Sequence, residues 1–357
     1  MKIIQVLVTL SYGDGVGNDT IAIDQILKES GYDTKIYAEN IDPRISTQLV
    51  EHISKIPNLA EEDTIIYHLS TGCELNQKMM KWNCKKIFRY HNVTPAEFFL
   101  DYDERSYHLC KEGIEQVAEL KNTPDYVLAD SEFNKTDLVE MGYTCPIDVV
   151  PILIPFDDYK MTADSTTMTK YSDGWTNIIF VGRVAPNKKH EDIIKCFSYY
   201  KKYVNPTSRL ILVGSYNEND LYYQKLVHYV ALLDVEDVIF TGHIKFEQIL
   251  AYYRVGDLFL CMSEHEGFCI PLVEAMYFEV PIIAYESTAI PYTMQGIGAI
   301  ANDKNPIFIA KLMDTILKNP KLKDDIVEQQ KQVLDTYQYK MVKASLLSCL
   351  ENVVRDI

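Results

Sequence analysis

The chain has 357 residues, 47% of them hydrophobic and 24% charged, and a formal net charge of −16. That length exceeds one ordinary core and points to two domains, while the composition is that of a globular protein with ample core material. The acidic balance excludes a general nucleic-acid binder and gives no broad pull toward anionic lipid. The eight cysteines show no C-x-x-C spacing and fit free thiols in a reducing cytosol. No apolar run reaches membrane-spanning length, and residues 1–5 begin a strand rather than a signal peptide, so the expected location is the cytoplasm.

In chain order, residues 3–10 form a continuous apolar run, as in a strand of a parallel sheet covered on both faces. A turn-rich loop (11–19) follows, then a helix over 20–30 with Ile21, Ile23, Ile26 and Leu27 at helical spacing. Strand, glycine loop and helix suggest a dinucleotide fingerprint, and Glu39 could supply the ribose acid. The fingerprint needs glycine at position 18, where Asn18 stands, so a dehydrogenase is disfavoured. Strands are expected at 34–38, 64–69, 86–90, 126–130 and 148–150, with helices at 73–82, 103–120 and 131–141. Such alternation predicts a parallel α/β sheet with ligands beyond the carboxyl ends of its strands. His91 falls at such an end and has two readings, structural or functional. Lys78, Lys81, Lys85, Lys86 and Arg89 surround Met79, Met80 and Trp82. They read as a solvated face, or as a patch touching a membrane surface and so nearing a lipid-linked acceptor.

Residues 151–174 combine prolines with polar residues and read as a linker. A second series follows, with strands at 176–181, 209–213, 238–241, 257–261 and 281–284. Its helices are expected at 190–203, 221–233, 246–253, 271–278, 306–318 and 321–337. Gly182 permits a tight turn after the first of these strands. Arg183 and Lys188, five apart in one loop, can converge on an anion, Arg as a fork and Lys as a point charge. Lys189 is an adjacent competitor, and a plain exposed basic loop is the other reading. Residues 263–276 read as a loop feeding a helix that carries Pro271 in its first turn. Its leading N–H groups, over 268–273, lack helical partners and favour an anion. Glu266 and Glu274 beside an anion site make sense for a ligand that also carries hydroxyls. A nucleotide sugar has both.

Glu266 and Glu274, with Gly267-Phe268, Pro271 and Glu274-Ala275-Met276 in register, resemble the signature of retaining glycosyltransferases of the GT-B fold, family 4. The resemblance implies two Rossmann-like parallel-sheet domains facing a central cleft. Residues 1–155 would form the acceptor-side domain, 156–174 a linker and 175–338 the nucleotide-sugar domain, with a helix over 339–357 crossing back to the first. It implies that Arg183 and Lys188 bind the donor diphosphate together with the amides of Gly267, Phe268, Cys269 and Ile270. Glu266 would hold sugar hydroxyls and stabilise positive charge at the anomeric carbon, and Glu274 would hold the ribose. Gly182 and Gly214 would lie close to the nucleotide, and main-chain groups around His243 and Ile244 at its base, with the His243 ring either stacked on the base or exposed. Gly15, Val16 and Gly17 would approach the substrate.

The run from His91 to Pro95, with Ala129 to Asn134 later, resembles a bacterial subgroup that assembles surface polysaccharide, and there His91 would face the donor sugar. The implied donor is a UDP-, GDP- or dTDP-sugar, and the implied acceptor a glycan or lipid-linked glycan. Peripheral contact with the inner membrane face follows from the second reading of the basic patch. No cofactor or metal is required, because the cations and amides meet the charge of the leaving diphosphate, and no nucleic acid is involved. Front-face attack assisted by the leaving phosphate is the mechanism usually ascribed to this family. Two departures stand out: Cys269 occupies a place where the family commonly has glycine, and Pro291-Tyr292 stands where Pro-Glu is frequent. Two other readings are a non-catalytic GT-B subunit and a sugar phosphorylase, for which no cofactor-lysine setting is found.

Overall fold

The computed structural model describes residues 2–11 and 13–354. The chain divides into two compact units, one of residues 1–97, 105–156 and 337–357, the other of residues 98–104 and 157–336.

In the first unit the strands are β1 (Lys2–Leu10), β2 (Asp33–Ile41), β3 (Val50–His52), β4 (Thr64–Leu69), β5 (Lys85–Tyr90), β6 (Tyr126–Ala129) and β7 (Ile147–Val149). They pair in parallel in the order β3-β2-β1-β4-β5-β6-β7. Helices α1 (Gly15–Glu29), α2 (Glu74–Met79), α3 (Glu104–Glu119) and α4 (Glu132–Glu140) connect them. Alternation within a strand sends neighbouring side chains to opposite faces. Ile65, Tyr67 and Leu69 of β4 therefore join Leu75 and Val117 on one face, while Ile66 joins Ile23 and Ile26 on the other. With both faces covered, every residue of β4 is buried, which is why these strands read as unbroken apolar runs.

The second unit holds β8 (Thr176–Val181), β9 (Ser208–Val213), β10 (Val238–Phe240), β11 (Leu258–Cys261), β12 (Ile282–Tyr285) and β13 (Ala299–Ala301). Their order, again parallel, is β10-β9-β8-β11-β12-β13. Its helices are α5 (Ser165–Tyr171), α6 (His190–Tyr203), α7 (Leu221–Leu232), α8 (Phe246–Val255), α9 (Ile270–Tyr277), α10 (Ile290–Thr293), α11 (Pro306–Lys318) and α12 (Pro320–Thr336). The strand order reverses between β8 and β11, and ligands of open parallel sheets bind beyond the strand ends at such a switch. The chain then returns to the first unit as α13 (Tyr339–Val354). There Val342, Leu346, Leu350 and Val353 line one helical stripe against Ile3, Ile66 and Leu128. Residues 355–357 of the expected terminal helix lie outside the described residues.

The details differ from the sequence reading in several places, the short helix α10 among them. The edge strands β3 and β13 carry too few large apolar residues, Val50 and Ile300, to stand out in the sequence. Helix α1 starts at Gly15 rather than Thr20, because Asp14 caps it by accepting from the Gly17 N–H. The linker carries its own short helix, α5, capped by Asp164. Among the described residues no helix is long and apolar enough to cross a membrane.

Candidate functional site

Two loops leave the sheet at the β8/β11 switch, and backbone hydrogen bonds fasten them together. The Glu264 N–H donates to the Asn187 carbonyl at 2.9 Å, and the Asn187 amide donates to the His265 carbonyl at 3.0 Å. The second loop is anchored behind as well, where Glu266 N–H donates to Thr288 Oγ1 at 2.9 Å and Thr293 Oγ1 donates to the Phe268 carbonyl. Strand β8 gives way to Gly182, which lies against Gly214 at the end of β9. A Cβ on Gly214 would fall 2.0 Å from the Gly182 carbonyl oxygen, so no side chain fits there.

The central pair is Lys188 and Glu266. Lys188 Nζ lies 2.5 Å from Glu266 Oε2, and burial of the lysine is outweighed by this carboxylate, which holds the ammonium's pKa above its ordinary value. Glu266 Oε1 is buried and has no hydrogen-bond partner among the described residues. A buried acceptor of this kind is costly when left unmade. Lys189, the competitor in sequence, turns instead to Glu264 at 3.0 Å, and Lys304 donates to Glu264 and to Asp192, each at 2.8 Å. Arg183 sits on the same loop with its side chain exposed and with no ion-pair partner among the described residues.

Helix α9 opens at Ile270 with Pro271 in its first turn and no side-chain cap, and its positive end favours an anion. Gly267, Phe268, Cys269 and Ile270 lead into it, and Cys269 adopts left-handed backbone angles, φ 72° and ψ 65°. Glu274 lies in this helix, where its two oxygens accept from Tyr159 Oη at 2.9 Å and Tyr253 Oη at 2.6 Å. Burial raises its pKa, while the two phenol hydrogen bonds pull the other way. His265 is a buried neighbour of Glu266. Its pKa is pushed down to about 4, chiefly by burial, which keeps the ring neutral. Beside Gly214 the chain forms an isolated bridge to Gly242. His243 after it is exposed and Ile244 is half-buried.

In the first unit, Gly15, Val16 and Gly17 form the first turn of α1. Gly17 packs so closely that a Cβ would meet the Ser11 carbonyl oxygen at 2.4 Å. His91 follows β5 and both its ring nitrogens are engaged, Nδ1 with Asp130 Oδ2 and Nε2 with His68 Nδ1, each at 2.9 Å. His68 is buried and meets Gln5 Oε1 at 3.0 Å through Nε2. Its pKa lies well below the ordinary value, because of burial first and then the neighbouring His91 and Arg89.

Arg89, grouped by the sequence with a surface basic patch, is 1% exposed. It bridges Asp19 at 2.8 Å and Asp130 at 3.0 Å. The rest of that patch is also partly engaged. Lys78 pairs with Glu74, and Lys85 donates to the Val353 carbonyl. Nothing in their local spacing marks His68, Asp19, Tyr159 or Tyr253 in the sequence.

Among the described residues, two clusters each bring three potential ligand atoms within 4.8 Å of one another: Asp19, His68 and His91, and Cys261, Glu266 and Cys269. A side-chain cation already stands at each, Arg89 on Asp19 and Lys188 on Glu266.

Two units, each a parallel α/β sheet, make up the GT-B fold, and the structure resembles solved proteins of that fold along its whole length. Over 100% of both chains it matches a sucrose-phosphate synthase from Thermosynechococcus elongatus, with TM-score 0.78 and 13% identity. Over 99% of its own length and all of the other chain it matches the Anabaena protein HepE, solved in complex with UDP-glucose, with TM-score 0.75 and 15% identity. Within that class, residues 172–333 match the family model of the group 1 glycosyl transferases.

Among curated relatives, the chain is 27% identical over 176 residues to an alpha-monoglucosyldiacylglycerol synthase of Acholeplasma laidlawii, covering 48% of this chain and 43% of that one. It is 32% identical over 184 residues to a mannosylfructose-phosphate synthase of Agrobacterium fabrum, covering 48% and 40%. The chain thus spans less than half the length of the curated relatives it matches.

Proposed function

We propose that this protein transfers a glycosyl group from a nucleoside-diphosphate sugar to an acceptor hydroxyl with retention of anomeric configuration. The observation that carries the reading is Glu266, whose Oε1 is buried and unpartnered while Lys188 holds Oε2. An acceptor so placed, beside a cation and the positive end of a helix, suits a ligand that brings hydroxyl donors on one part and phosphate on another.

Lys188 has three N–H donors, so it can serve Glu266 and a phosphate oxygen together. Arg183, exposed on the same loop, adds a forked donor for the diphosphate. As the sugar–phosphate bond breaks, charge grows on the departing diphosphate. Arg183, Lys188 and the amides entering α9 at Gly267, Phe268, Cys269 and Ile270 stabilise it. Glu266 orients sugar hydroxyls and offsets the positive charge at the anomeric carbon. Glu274, held between two tyrosines, accepts from the ribose hydroxyls. Gly182 and Gly214 let the chain approach the nucleotide, with the main chain at His243 and Ile244 near the base. Gly15, Val16, Gly17 and His91 are the first unit's contribution in this reading. The solved complex of HepE with UDP-glucose supports a nucleotide-sugar donor on this fold. The lipid and sugar-phosphate products in the relatives' names support a hydroxyl acceptor. We extend the reading to a cytoplasmic enzyme of surface-glycan assembly, working on a glycan or lipid-linked glycan at the inner membrane face.

The test is a thermal-shift screen of the protein against UDP, GDP, dTDP and their common sugars, with Arg183→Ala as control. A ligand at one hundred times its Kd adds about 2.7 kcal/mol of stability. One nucleotide class stabilising the wild type, and the variant far less, is the expected result. Absence of any shift would overturn the reading in favour of a non-catalytic subunit.

A further inference from the structure

Cys261 ends β11 and Cys269 leads into α9, and the loop between them carries Glu266. Both cysteines are buried, at 0% and 6% exposure. Their sulfurs and a Glu266 carboxylate oxygen all lie within 4.8 Å of one another. Cys269 holds φ 72°, a conformation that is unfavourable for a residue with a Cβ and that glycine adopts freely. The chain therefore carries a sulfur where its backbone favours no side chain, and none of the donor contacts proposed above uses either thiol. A metal ion between these groups would compete with the Lys188 ammonium, which is already on Glu266.

We propose that Cys261 and Cys269 are a thiol pair that a hydroperoxide oxidises to a disulfide, reversibly disabling the loop that carries Glu266. The effect on binding rests on the donor reading above, whereas the thiol chemistry does not. The contact between the two thiols favours a thiolate on Cys261 against burial and disfavours one on Cys269, so Cys261 is taken as the attacking sulfur; exchanging the roles leaves the product and the electron count unchanged.

In the first step Cys261 Sγ attacks a peroxide oxygen. An S–O bond forms, the O–O bond breaks, and the departing oxygen leaves as water or alcohol with the thiol's proton. In the second, Cys269 Sγ attacks Cys261 Sγ, the S–S bond forms, the S–O bond breaks, and the hydroxyl leaves as water with the Cys269 proton. Two thiols lose two electrons, and the peroxide gains them. An S–S bond is about 2.05 Å long, and β11 is fixed between β8 and β12. The closure therefore moves Cys269 and the residues entering α9.

The experiment treats the full chain with hydrogen peroxide and maps its peptides by mass, alongside Cys261→Ser and Cys269→Gly, the latter suited to the left-handed backbone. In the wild type a cross-link joins the peptides containing residues 261 and 269, two thiols are lost from the free-thiol count, and dithiothreitol restores them. Neither variant forms the cross-link. Affinity for the best nucleotide found in the screen falls at least tenfold on oxidation and recovers on reduction. Free thiols at 261 and 269 after treatment, or a sulfinic acid at one of them without a cross-link, overturns the proposal. So does a cross-linked protein that binds the nucleotide as tightly as the reduced one. If the reduced protein binds no nucleotide but the cross-link forms, the donor reading fails while the thiol pair stands.

Discussion

Lys188 Nζ sits 2.5 Å from Glu266 Oε2, across the two loops that leave the sheet at the β8/β11 switch. The pair joins the proposed diphosphate cation to the proposed sugar carboxylate, so neither can be changed without disturbing the other. Lys188→Met leaves a buried carboxylate with neither oxygen paired. The expected loss of stability is about 3 kcal/mol, with at least a hundredfold loss in turnover. The double variant Lys188→Met, Glu266→Leu removes the uncompensated charge and should recover much of the stability and none of the activity. Denaturant unfolding and product assays on wild type and the two variants check this. Equal stability of the single and double variants would mean that the two side chains do not interact.

Arg183 is the contrasting cation. Its side chain is exposed and makes no ion pair among the described residues, so Arg183→Ala should leave the unfolding free energy within about 0.5 kcal/mol of wild type. Turnover should fall by roughly 10²–10³, as for loss of one donor to a developing oxyanion. Steady-state kinetics with the identified donor gives the answer, and wild-type turnover would remove Arg183 from the mechanism.

Part of this site was legible in the sequence because its chemistry is local. Gly182, Arg183 and Lys188 lie in one loop, Glu266 and Glu274 bracket one helix start, and parallel strands buried on both faces read as apolar runs. What the sequence hid was long-range pairing. Arg89 looks like one more basic residue beside Lys85 and Lys86, since its partner Asp19 is 70 positions away. Glu274 finds Tyr159 at a separation of 115, and no periodicity encodes that. The edge strands β3 and β13 escaped for a different reason, because β3 holds one apolar residue, Val50, and β13 one large one, Ile300.

The buried Arg89 cluster carries a prediction of its own. Arg89 is the cation between Asp19 and Asp130, all three being at most 1% exposed. Arg89→Met would strand two carboxylates in the first unit and should cost about 3–5 kcal/mol. The fall in denaturation midpoint measures it. A loss below 1 kcal/mol would show that solvent reaches these groups.

Gly214→Ala tests the close approach of the two strand ends. The new methyl group would lie 2.0 Å from the Gly182 carbonyl oxygen, and Gly182, whose N–H donates to the Val213 carbonyl at 2.8 Å, can yield only by straining that bond. A destabilisation of about 3 kcal/mol is expected, with weaker nucleotide binding from the displaced Gly182–Arg183 turn. Calorimetric titration and denaturant melts separate the two effects. An alanine variant as stable as wild type would contradict the packing.

Glu274 makes the stability of this protein depend on pH in a direction opposite to that of an ordinary ion-paired carboxylate. Burial lifts its folded-state pKa above the unfolded value despite hydrogen bonds from Tyr253 and Tyr159. The folded chain therefore holds its proton more tightly. The contribution to stability is fully present below the ordinary glutamate value and is lost as pH rises through the raised one. The unfolding free energy of wild type minus that of Glu274→Gln should accordingly fall across that window and level off above it. Tyr253→Phe removes a hydrogen bond that favours the carboxylate. It should move the window higher and cost about 1.5–3 kcal/mol at neutral pH. Denaturant melts of the three proteins at several pH values decide the matter. A difference that stays constant with pH would mean that Glu274 is solvated, and its poise for ribose hydroxyls would then need another source.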